Sequence, residues 1–167
     1  MAEKMLILCY SLTGKTFAVC KNLSKSVPAK LYRLRRSSAD SQLYAYTIGL
    51  HKARKRMTAD VLPVEDDISD YQRLILAGPV WGGFPAPVLY GFLRGYELRG
   101  KEIHVLLTYG KNAGNAPNVL QEEIASAGAV CGSVVTLRSD SKAIRRLEEG
   151  KMELYLDEGR GISLRKP

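Results

Sequence analysis

The sequence predicts an α/β fold, a three-layer αβα sandwich on a five-stranded parallel sheet, formed as one domain over residues 1–167. Three observations carry this. Short runs rich in Leu, Ile and Val alternate with longer segments whose apolar residues fall at helical spacing, the rhythm of βαβ units. Most of these runs are apolar at consecutive positions, as in strands covered on both faces. The 167 residues, 46% hydrophobic and 25% charged, suffice for one sizeable core but not for two.

The first strand falls at 4–10 and gives way to Ser11. A helix follows over 13–26, with Phe17, Cys20 and Leu23 on one stripe and Pro28 stopping it. The second strand spans 29–34. Residues 40–57 place Leu43, Tyr46, Leu50, Ala53 and Met57 at i, i+3/i+4 spacing opposite His51, Lys52, Lys55 and Arg56, which predicts an amphipathic helix with a basic outside. The third strand is 73–80, and Pro87 opens a short helix over 87–94. The fourth strand is 102–108, followed by a helix over 118–127 that Gly128 ends. The fifth strand, 130–137, leads to a helix capped by Ser141 and interrupted at Gly150. Two readings stay open for the C-terminal extension, 151–167. Met152, Leu154 and Leu156 can pair with Ile162 and Leu164 across Glu158-Gly159-Arg160-Gly161 as a hairpin, or the last helix continues.

No apolar run approaches the roughly 20 residues of a membrane helix, and the first run is too short for a signal-peptide core and lacks a cleavage site. No membrane partner and no export are expected. Cys9, Cys20 and Cys131 show neither CxxC nor Cys/His spacing and lie in apolar settings, so they read as core residues of a cytoplasmic protein with no metal site. Lys and Arg number 25 against 17 Asp and Glu, a net charge of +8 concentrated at 33–36, at 52–56 and at Arg160, Arg165 and Lys166. Such charge permits an acidic partner surface. It does not call for nucleic acid, because basic clusters on polar helix faces are ordinarily solvated.

Ligands of open parallel sheets bind beyond the carboxyl ends of the strands, and three loops there are distinctive. The first, Ser11-Leu12-Thr13-Gly14-Lys15-Thr16, sets three hydroxyls and a run of backbone N–H groups at a helix N-terminus, where free donors and the helix dipole favour a phosphate. A nucleotide P-loop is the competing reading of Gly14-Lys15-Thr16, but GxxxxGK[ST] requires glycine where Cys9 stands. The second loop, Gly78-Pro79-Val80-Trp81-Gly82-Gly83, places the single tryptophan beside two glycines, an arrangement suited either to stacking on a flat ring or to a packed turn. The third, Thr108-Tyr109-Gly110-Lys111-Asn112-Ala113-Gly114-Asn115, offers an aromatic, two glycines and amide side chains that can read a heterocycle edge.

In this order, over residues 5–137, the three loops resemble those of the flavodoxin family, in particular the flavodoxin-like proteins with a Pro-Val-Trp second loop. The resemblance implies strand order 2-1-3-4-5 and FMN as cofactor. Ser11, Leu12, Thr13, Gly14, Lys15 and Thr16 correspond to the family's (S/T)xTGxT phosphate loop. Pro79, Val80, Trp81, Gly82 and Gly83 correspond to the segment flanking the isoalloxazine ring, and Thr108, Tyr109, Gly110, Asn112 and Gly114 to the loop on the ring's other side. Two departures stand out: Lys15 replaces the family's commoner asparagine, and the net charge of +8 contrasts with the strongly acidic surface of carrier flavodoxins.

The function so implied is electron transfer or flavin-dependent reduction, with a redox protein or a small-molecule electron acceptor as partner, in a monomer or homodimer. The redox chemistry belongs to the cofactor. No catalytic side chain is nominated, because His104 falls within a strand and His51 on a basic helix face. Lys111 is the best-placed cation to favour negative charge on a bound flavin; one unit charge about 10 Å away in water contributes ~0.4 kcal/mol, about 18 mV for one electron. Two alternatives remain open: an NAD(P)H-dependent quinone reductase-type enzyme, and a cofactor-free basic binding module using residues 33–36 and 52–56.

Overall fold

A computed structural model of the chain describes residues 4–157 and 159–167. Five parallel strands form the central sheet: β1 (Met5–Cys9), β2 (Ala29–Arg33), β3 (Arg73–Trp81), β5 (Glu102–Tyr109) and β6 (Val130–Arg138), in the order β2-β1-β3-β5-β6. Counting only these strands, that is 2-1-3-4-5. A further two-residue strand, β4 (Phe84–Pro85), folds back antiparallel on β3 with Trp81 opposite Phe84. The Gly82-Gly83 link has positive φ at both residues, the backbone of a tight two-residue hairpin turn.

Side chains of a strand alternate between faces, and β1 shows how this builds two cores. Leu6 and Leu8, followed by Tyr10, point to one side and pack with Leu74, Leu76, Leu89, Phe92 and Leu120. Met5, Ile7 and Cys9 point to the other and pack with Val19, Cys20, Leu23, Ile75 and Leu106. Helices α4 (Pro87–Gly95) and α5 (Ala116–Ser126) cover the first face, and α1 (Lys15–Ser26) and α6 (Lys142–Glu148) the second. β6 lies at the sheet edge and is half-exposed along most of its length, with Val130 61% exposed, so it is not the doubly covered strand its sequence suggests.

The segment 151–167, open between hairpin and helix from sequence, is an antiparallel pair, β7 (Glu153–Asp157) and β8 (Gly161–Arg165), with Leu154 opposite Leu164 and Leu156 opposite Ile162. Glu158, the first residue of the expected crossing Glu158-Gly159-Arg160-Gly161, lies outside the described residues. Leu154 and Ile162 join the second core. Asn22 Oδ1 accepts the Leu154 N–H at 3.0 Å, and Ser133 Oγ accepts the Ile162 N–H at 3.1 Å.

The region 40–57 departs from its sequence pattern. It forms one winding of three parts, α2 (Gln42–Tyr44), a π-helical stretch Ala45–Gly49 and α3 (Leu50–Arg54). Its buried face is Ala45, Gly49 and Ala53, while Leu43, Tyr46 and Met57 stand 75%, 77% and 45% exposed. Of the expected inward stripe, Ala53 is buried, Leu50 is half-buried, and Leu43, Tyr46 and Met57 face out. Small side chains let the backbone approach the sheet, and the wider π turn rotates the large apolar groups outward. A Cβ at Gly49 would lie 2.7 Å from Trp81 Cζ3.

Candidate functional site

A cavity of about 530 Å³ opens beyond the carboxyl ends of the parallel strands. One end is built by the β1–α1 loop. Gly14, with φ of +91°, precedes α1, whose first turn has no capping side chain and no acidic residue. The N–H groups of that turn have no intrahelical acceptor, so the 12-residue helix presents unneutralised donors and the positive end of its dipole there. Leu12, Thr13, Lys15 and Thr16 line this end.

Ser11 and Gly14, both in the expected phosphate loop, sit behind the cavity lining. Ser11 is 4% exposed and its Oγ accepts the Gly14 N–H at 3.0 Å, which shapes the loop; neither residue lines the cavity. Thr16 does line it, but its hydroxyl is hydrogen-bonded to the Thr108 hydroxyl at 2.7 Å, which locks the first loop to the third. Arg33 donates to the Ser11 carbonyl at 3.2 Å, with its guanidinium carbon 5.1 Å from the centroid of the Phe17 ring.

The other end is aromatic. Pro79, Val80, Trp81, Gly82 and Gly83 border the cavity on one side, and Thr108, Tyr109, Gly110 and Asn112 on another. Trp81 is half-buried. Tyr10 and Tyr44 meet it edge-on, with centroids at 6.0 and 6.3 Å and interplanar angles of 71° and 73°. The Arg36 guanidinium lies 3.5 Å from the Tyr44 ring centroid and is ion-paired to Asp40 at 2.9 Å. Burial and the nearby Asp40 charge push the Tyr10 hydroxyl well above its ordinary pKa, and burial raises that of Tyr44. Both hydroxyls therefore stay protonated at neutral pH, and Trp81 is held by packing against uncharged rings.

Gly114 does not line the cavity. Its φ is +53°, and a Cβ there would overlap the Gly83 backbone, so it lets the second and third loops touch. The Tyr109 carbonyl accepts both the N–H and the hydroxyl of Ser139, at 2.8 and 3.0 Å, which fixes the third loop to the end of β6.

Sequence reasoning missed Gln42, Ala45, Tyr46, Leu50 and Ser139, all of which border the cavity. For Tyr46 and Leu50 the signal was present but read as core. Gln42 and Ser139 carry none, since their place depends on how the winding 42–54 and the β6–α6 turn sit against the sheet. Lys111, singled out for its charge, lies on the wall; with Lys15 it makes two lysines in a lining that holds no carboxylate among the described residues.

The histidines are elsewhere. His104 is a buried residue of β5, where its Nδ1 accepts the Ser133 N–H at 3.0 Å, and burial holds its imidazole below the ordinary pKa. Cys9 and Cys20 are buried side by side in the second core; their mutual hydrogen bond, then burial, pushes the Cys20 thiol up, which makes it inert. No described helix is long and apolar enough to cross a membrane.

No protein-family model and no curated protein matches the sequence. Solved structures do match its fold. A crystal structure of a candidate flavoprotein from Bacteroides uniformis superposes with a TM-score of 0.73 at 16% identity, over 89% of this chain and 97% of that one. A Lactobacillus acidophilus flavoprotein solved in complex with FMN gives 0.67 at 22% identity, over 89% and 98%. Megasphaera elsdenii flavodoxin in its two-electron reduced form gives 0.55 at 16%, over 87% and 96%. With the strand order found above, these likenesses show that the chain has the flavodoxin-like α/β fold.

Proposed function

We propose that the cavity binds FMN and that the protein carries electrons, or reduces a substrate, through it. One observation supports this most directly: a single cavity joins a cationic, donor-rich helix N-terminus to a slot walled by Trp81, Gly82-Gly83 and Tyr109-Gly110, with no carboxylate among the described residues of its lining. A dianionic phosphate matches the first end, and a flat tricyclic ring matches the second. The residues present therefore fit the group. When bound, FMN supplies the redox chemistry.

The chain's own residues bind, orient and shield. Thr13, Lys15 and the first-turn N–H groups of α1 neutralise phosphate charge. Thr16, tied to Thr108, sets the distance between the phosphate end and the ring end. Trp81 walls the slot, backed by Tyr10 and Tyr44. The free cysteines suit a reducing compartment such as the cytoplasm. The cofactor-free binding module loses support, because Arg33 and Arg36, two members of its basic cluster, are engaged in internal contacts.

The experiment is a titration of flavin-free protein with FMN and with riboflavin, followed by flavin fluorescence, which an adjacent indole quenches. FMN is expected to bind at least 100-fold more tightly than riboflavin. Equal affinity would remove the phosphate assignment, and no uptake of either would remove the flavin reading. Mixing the FMN-loaded protein with NADPH separates carrier from reductase, since a carrier is scarcely reduced.

A further inference from the structure

The outer rim of the cavity carries a surface that neither fold nor cofactor requires. Between residues 41 and 59 there is no Asp or Glu. Leu43, Tyr46 and Ile48 stand 75%, 77% and 55% exposed on this rim, and Tyr46 also forms part of the cavity wall, so whatever covers the apolar patch covers the cavity mouth. Just beyond lie Lys52, Arg54 and Lys55, none of which makes an ion pair among the described residues. Arg54 reaches the mouth itself, its Nε 3.6 Å from where a Cβ on Gly82 would be. Lys15 and Lys111 continue the positive charge along the wall. Of the carboxylates around this winding, Glu122 is paired with Arg56 at 2.7 Å, and Asp40 and Asp60 with Arg36 at 2.9 and 3.9 Å.

Apolar groups at the centre and uncompensated charge of one sign at the edge are the anatomy of a docking surface. Resting on the flavin reading above, we propose that the exposed face of residues 42–57 docks an electron-transfer protein whose own redox centre lies under an apolar patch ringed by carboxylates. Each encounter passes one electron between the cofactor and the partner's metal centre, and two encounters complete the two-electron couple. The patch favours a protein over a lipid surface: its apolar stripe runs into the cavity instead of lying along a free helix, and the opposite face, Ala45, Gly49 and Ala53, is buried.

The test uses FMN-loaded protein reduced with dithionite and mixed in a stopped-flow instrument with oxidised plastocyanin, an acidic acceptor, or oxidised cytochrome c, a basic one. At low salt plastocyanin is expected to react at least 10-fold faster than cytochrome c, the difference shrinking as salt is added. The triple variant Lys52→Glu, Arg54→Glu, Lys55→Glu should lose at least 10-fold in the plastocyanin rate, and Leu43→Ser with Ile48→Ser should lose several-fold independently of salt. Both variants should keep FMN affinity and the rate with neutral benzoquinone. Binding of plastocyanin to flavin-free protein, read by NMR shifts confined to residues 42–57, tests the surface even if FMN does not bind. Equal rates with the two acceptors, no effect of charge reversal, or a patch that instead binds phosphatidylglycerol vesicles would overturn the proposal.

Discussion

The hydroxyls of Thr16 and Thr108 meet at 2.7 Å, both side chains buried, across 92 residues of chain. This bond holds the loop after β1 against the end of β5, and so sets the span between the donor-rich helix end and the aromatic slot. Thr108→Val keeps the shape and removes the partner, which leaves a buried hydroxyl unpaired at a cost of about 1–2 kcal/mol. Urea unfolding should show that loss, and FMN titration a weakened affinity. The double variant with Thr16→Val should be less destabilised than the sum of the single changes.

Gly49 and Trp81 make a second, sterically enforced contact. Alanine in a helix interior ordinarily stabilises by up to about 1 kcal/mol over glycine, but at Gly49 its Cβ would come 2.7 Å from the indole. Gly49→Ala is therefore expected to destabilise by about 1–3 kcal/mol and to change Trp81 emission. Gly95 is the control: a Cβ there meets nothing within 4 Å and its φ is not positive, so Gly95→Ala should be neutral or stabilising.

Arg36 supports the aromatic wall from behind. Its side chain is 6% exposed, stacked on Tyr44 and paired with Asp40. Arg36→Met should cost about 2–4 kcal/mol, because Asp40 loses its partner and Tyr44 its stacked cation. Arg36→Lys should recover only part of this, since an ammonium cannot reproduce a planar guanidinium. Thermal unfolding of the two variants measures the difference.

His104 predicts a pH response. Burial lowers its pKa, Arg73 adds to this, and Glu102 opposes it. The unfolded chain therefore takes up the proton first, so the folded state loses stability as pH falls below the ordinary histidine value of about 6.5, with no effect above it. Denaturation between pH 7.5 and 5 should show a slope that flattens in His104→Gln.

Lys111 sets the last expectation. As a cation on the cavity wall with no ion pair among the described residues, it favours added negative charge on a bound flavin. Lys111→Gln should lower the midpoint potential by about 10–20 mV at low ionic strength and by less in high salt. An unchanged potential would place its charge outside effective range.

The amino-acid sequence by itself determined the five parallel strands, the strand-to-loop switch points and the chemistry of the three loops, because these are local: apolar runs mark strands, though not which of them, like β6, lies half-exposed at an edge, and glycines and hydroxyls mark the turns after them. Tertiary structure alone decided which face of 42–54 is buried. Periodicity counts large apolar side chains as inward, but the space beside Trp81 leaves no room for a side chain at Gly49, Ala45 and Ala53 fill the rest of the buried face, and Tyr46 and Leu50 border the cavity instead. It likewise decided that Ser11 shapes its loop, that Gly114 yields to Gly83, and that Gln42 and Ser139 reach the site. Each of these depends on how closely two distant backbones approach, a quantity set by packing and carried by no single segment of the chain.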